Sequence, residues 1–86
     1  MSKVERILRL CGEKKQRLRA VKALTSLQES LLSNALDGGG TSKVLDDIVD
    51  VYIYLEQLKI IYDFTDSEIN WHVKYRLEKT LDDLRR

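Results

Sequence analysis

Asp47 and Asp50 stand three residues apart inside an otherwise apolar stretch, VLDDIVDVYIYLEQLKIIY, running from Val44 to Tyr62. On a helix that spacing projects both carboxylates from nearly the same side. An ionised carboxylate leaves water only with a partner, because a bare buried charge costs on the order of several kcal/mol or more. Three roles suit such a pair: ligands to a divalent metal, partners of a Lys or Arg within the fold, or partly solvated helix acids. Tyr54, one turn beyond Asp50, is placed to hydrogen-bond a carboxylate or to stack on a base.

Other chemically capable residues are sparse. Cys11 is the single cysteine and has no histidine near it in sequence, so it excludes an internal disulfide and reads as an inert thiol. His72 lies beside Trp71, away from any second His or Cys, which suits a surface or interface histidine. Gly38-Gly39-Gly40-Thr41-Ser42-Lys43 superficially resembles a phosphate loop but lacks its spacing and follows a helix, so it reads as a connector.

Four helices must position these groups. The first covers about Ser2 to Leu10, with Val4, Ile7, Leu8 and Leu10 apolar and Gly12 closing it. The second runs from about Glu13 to Leu36, with Leu24, Leu27, Leu31 and Ala35 at three- and four-residue steps, extended by Leu18, Val21 and Leu32. After the glycine break, Thr41 or Ser42 is placed to cap the third helix. Val44, Ile48, Val51, Leu55 and Leu58 form one seam of that helix, and Leu45, Val49, Ile53 and Ile60 lie on its other side. Asp47, Asp50, Tyr54 and Gln57 occupy the sector between. Thr65-Asp66-Ser67-Glu68 is a capping box for a fourth helix from about Asp66 to Leu84, with a stripe of Ile69, Val73, Leu77, Leu81 and Leu84. Trp71 and Tyr75 fall off that stripe and suit either interface anchors or partial burial.

The 86 residues make one all-α domain, 1–86, with 43% hydrophobic and 34% charged residues, no Pro, and a net charge of +1. Charge is uneven: residues 1–23 carry eight Lys/Arg against two Glu, and residues 24–70 carry nine Asp/Glu against two Lys. That alternation suits helices pairing with one another or with a second subunit. Nucleic-acid binding is not expected, because no aromatic residues interleave the basic stretch. No apolar run approaches the length of a membrane span or signal peptide, so a cytoplasmic, membrane-free protein is expected. A chain this short has little core, and a central helix with two apolar faces predicts a homodimer or dimer of dimers.

Asp46-Asp47-Ile48-Val49-Asp50-Val51 followed by Leu55-Glu56-Gln57-Leu58 resembles the third helix of MazG-like nucleoside triphosphate pyrophosphohydrolases, especially short phage-borne forms. The family pattern is E-x-x-D followed by V-x-I-x-L-x-Q-L. Asp47 stands in its Glu position, Asp50 matches its Asp, and Val51, Ile53, Leu55, Gln57 and Leu58 match the run. Lys15-Gln16, Ala20-Val21 and the capping box extend the likeness over residues 13–85. It implies a MazG-like bundle of four helices per chain and, in active members, Mg²⁺ held by E-E-x-x-E on one helix and E-x-x-D on the next. Several carboxylates serve there because the cations must bridge phosphates and activate water.

Aligned on Ala20-Val21, the first acidic motif falls on Lys22-Ala23-Leu24-Thr25-Ser26, where no acid remains; a shifted register on Glu29 to Ser33 recovers one of three. Lys22 and Ser26 are therefore expected to face Asp47 and Asp50, with Lys22 supplying the positive charge that Mg²⁺ supplies in relatives. Arg76 and Lys79 lie where related enzymes place phosphate-approaching cations. The expected function is that of a catalytically degenerate member without a cofactor, binding a nucleotide-type ligand or a protein, with a phage-type inhibitor as one analogy. Two alternatives stay open: a weak or narrow Mg²⁺-dependent pyrophosphohydrolase using Asp47 and Asp50 as metal ligands, and a structural oligomerisation module.

Overall fold

The computed structural model describes residues 2–86, which form four α-helices and no strand: α1 (Lys3–Cys11), α2 (Glu13–Asp37), α3 (Ser42–Ile61) and α4 (Asp66–Leu84). The Ser2 hydroxyl accepts the Glu5 N–H at 3.1 Å and starts α1. Gly12, at φ +90°, is the one residue between α1 and α2, a backbone turn that a side chain would strain. Gly38 is left-handed at φ +69° and its N–H closes the last turn of α2. Thr41 occupies the cap position of α3, but its side chain makes no capping bond.

At the far end of α3, Asp63 adopts φ +57° while its N–H donates to Ile60 and the Phe64 N–H donates to Lys59. That is a Schellman-type stop with an acid where glycine is usual. The predicted capping box then forms: the Glu68 N–H donates to the Thr65 hydroxyl at 3.1 Å, and the Thr65 N–H donates to the Glu68 carboxylate at 3.4 Å.

Packing is concentrated between α2 and α3, with α1 laid against both. The inward face of α2 is Gln16, Ala20, Ala23 and Ser30, with Ser26 and Leu27 half-buried. The expected leucine stripe is not that face: Leu18, Val21, Leu24, Leu31 and Leu32 are all exposed. Small side chains let two helix backbones approach closely, and interaxial distance follows the residues at the contact. The side of α3 turned inward mixes Asp47 and Gln57, both buried, with half-buried Val44, Val51, Tyr54 and Leu58. Three residues of the expected apolar seam thus face inward, while Asp50 of the polar sector is exposed. Leu45, Ile48, Val49 and Leu55 face out.

Helix α4 stands apart. No residue of it comes within 8 Å, Cα to Cα, of the other helices. Of its apolar stripe only Ile69 is half-buried, while Val73, Leu77, Leu81 and Leu84 are exposed. Within one chain, then, three helices pack and the fourth projects, instead of four closing a bundle. The radius of gyration is 15.9 Å, against about 12 Å for a compact domain of this length.

Candidate functional site

Asp47 lies at the centre of the polar layer between α2 and α3, only 5% exposed. The Ser26 hydroxyl, from α2, donates to its Oδ1 at 2.8 Å. The Lys43 ammonium, one turn earlier on α3, donates to Oδ1 at 3.0 Å and Oδ2 at 2.9 Å, and to Ser26 Oγ at 3.0 Å. Both carboxylate oxygens are thus engaged by a cation that reaches in from a largely exposed side chain. Lys43's hydrogen bonds hold the Asp47 carboxyl below its ordinary value of 3.8, helped by the Ser30 and Ser26 hydroxyls and opposed by burial.

Lys43 sits in the first turn of α3, where the helix macrodipole disfavours a cation. The carboxylate four residues on offsets that penalty and fixes where the ammonium points. Together Lys43, Ser26 and Asp47 form a closed triangle of hydrogen bonds.

Sequence expectation and structure part at Lys22. Its side chain is exposed and makes no ion pair with Asp47; the ammonium beside Asp47 belongs to Lys43. The reason is rotational: Ala20, Ala23 and Ser30 define the inward face of α2, and position 22 turns off it. Ser26, by contrast, does face Asp47 as expected. Asp50 is exposed and Tyr54 half-buried, and neither joins the bonds around Asp47. Arg76 and Lys79 are exposed on α4, away from this layer within the chain.

The arrangement does not fit Mg²⁺. That ion needs near-octahedral oxygen ligands, commonly one or two carboxylates plus water and substrate phosphates. Among the described residues the one buried carboxylate, Asp47, already holds an ammonium at bonding distance. Among the described residues, no three His, Cys, Asp or Glu side chains gather into a set that could hold a metal ion. A carboxylate so well hydrogen-bonded in its ionised form is also a poor general base, since its proton affinity is lowered.

A second polar layer lies one end of the helix pair away. Gln16 Nε2 donates to Gln57 Oε1 at 2.8 Å, with both side chains at most 2% exposed. Arg19 Nη1 donates to Gln16 Oε1 at 3.0 Å and to the Cys11 sulfur at 3.4 Å. Gln57 Nε2 is buried without a partner. A relay of donors thus runs from an exposed guanidinium into the core and ends in a free N–H pair, a costly arrangement that pins the register of α2 against α3.

Sequence reasoning passed over Lys43, Arg19 and Ser30. The i, i+4 spacing of Lys43 and Asp47 was a usable signal; nothing in sequence marks Arg19 as the outer member of a core relay. Compared with protein-family models, with characterised proteins and with solved structures, the chain finds no match in any of the three.

Proposed function

We propose that this chain is a MazG-like protein without hydrolytic chemistry that acts by binding. The carrying observation is Asp47 neutralised by Lys43 and hydrogen-bonded by Ser26. On the alignment above, this is where the two acidic rows of an active relative would face one another. A tethered ammonium there supplies the charge compensation of a metal but no open coordination position, so it holds the helices together and activates no water.

The ligand proposed is an anionic, nucleotide-type molecule. Lys22, Arg76 and Lys79 are exposed, and none of them forms an ion pair within the described residues, so their charges remain available to phosphate. Melting the protein against a panel of nucleotides and cyclic nucleotides tests this. A true ligand at 100 times its Kd adds about 2.7 kcal/mol of stability. Assaying pyrophosphate release over the same panel with Mg²⁺ or Mn²⁺ completes the test. Stabilisation without release supports the proposal, and sustained release overturns it in favour of a hydrolase. A second reading, an oligomerisation module, is favoured by the apolar residues of α3 and α4 left facing solvent; silence in both assays selects it.

A further inference from the structure

Residues 1–23 hold eight Lys/Arg against two Glu, and packing leaves most of those charges on the surface. Lys3, Arg6 and Arg9 follow one another at steps of three along α1, and all three are exposed. That spacing makes them neighbours on one helix face, each about 4.5 Å further along the axis. Gly12 is the single residue before α2, whose first turn adds exposed Lys14 and Lys15. Arg9 and Lys15 are close in the chain, so roughly 20 Å is the most that can separate their backbones. Among the described residues none of these five cations forms an ion pair, not even Arg9 with Glu5 one turn before it.

What faces outward here follows from what faces inward. Leu8 is buried and Val4 and Cys11 are half-buried, so the apolar side of α1 is turned to α2 and α3. A membrane-surface helix requires that side free to enter the headgroups; on α1 only Ile7 and Leu10 are large, apolar and exposed. Protein partners are commonly anchored by aromatic side chains, and residues 1–23 contain no Phe, Trp or Tyr. The same lack argues against single strands, whose bases stack on aromatic rings. Duplex phosphates require no such rings, because Lys and Arg hold them without touching a base. Arg6 and Arg9 add the forked guanidinium that meets phosphate with two parallel bonds. A convex row of cations along a helix fits an extended polyanion better than a small anion. Residues 24–70, with nine acids against two Lys, repel such a polymer and leave the N-terminal corner as the contact.

We infer that Lys3, Arg6, Arg9, Lys14 and Lys15 form a docking surface for the phosphate backbone of double-stranded nucleic acid, bound without regard to sequence. This surface shares no residue with Lys22, Arg76 and Lys79, the contacts proposed for a small anionic ligand, so either proposal can fail alone.

Fluorescence anisotropy of short labelled duplexes, one DNA and one RNA of the same sequence, titrated with the full chain, tests it. With all five cations on phosphate, raising salt from about 50 to about 200 mM should weaken DNA binding about 500-fold, a slope of about −4.5 in log K against log salt. Arg6→Gln combined with Arg9→Gln should flatten that slope by about 2 while keeping the helical circular dichroism. Lys74→Gln combined with Arg86→Gln, which removes the same charge elsewhere, should leave it unchanged. Binding of either duplex with this signature supports the inference and tells DNA from RNA. Absence of binding to both duplexes at the lower salt overturns it. So does a slope indifferent to Arg6 and Arg9, or tighter binding to a single strand or to phosphatidylserine-containing vesicles than to either duplex.

Discussion

Lys43 occupies a position that its own helix disfavours and is kept there by Asp47 and Ser26. The consequence is measurable as pH dependence. The folded-state carboxyl of Asp47 is depressed below 3.8, so its contribution to stability is fully present above that ordinary value. It is lost as pH falls through the folded value. Denaturant unfolding of Asp47→Asn across acidic pH should therefore show a flatter acid limb than the unmodified chain. Lys43→Met should destabilise at neutral pH, because it strands a buried carboxylate. Adding Asp47→Asn to it should restore part of the loss, a coupling that a double-mutant cycle reads directly. Additive effects would mean that the two side chains do not act as a unit.

At the scale of elements, the α2–α3 pair is built on small residues and hydrogen bonds more than on leucines. Ala23 sits 9% exposed between the two helices. Ala23→Leu should cost about 1–3 kcal/mol by overpacking, seen as a lower urea midpoint. Much of this level was legible in the sequence: the Gly12 and Gly38 stops and the Thr65–Glu68 box follow from local backbone chemistry and appear as expected. What was not legible is which way α3 faces. Its two apolar flanks and one polar sector offer similar one-dimensional patterns. The choice is made by what α2 presents to it: Ser26 and Gln16, which bond Asp47 and Gln57, and alanines that let them come close. Periodicity locates a stripe of leucines but cannot report that the stripe on α2 is left outside.

For the molecule as a whole, the site residues divide by origin. Asp47 and Ser26 are brought together by the α2–α3 contact, whereas Lys22 and Asp50, expected at the same spot, stay exposed. Arg76 and Lys79 are not brought to them, because α4 projects away from the packed α1–α3 layer, tied to α3 near its start by the Lys59–Asp66 ion pair. The account makes the polar layer a metal-independent clamp on the fold. Thermal unfolding of the unmodified protein with excess EDTA, and then with a rising concentration of Mg²⁺, tests this most directly. The predicted result is one unchanged melting temperature throughout. A rise in melting temperature that saturates with Mg²⁺ and disappears in Asp47→Asn would contradict it.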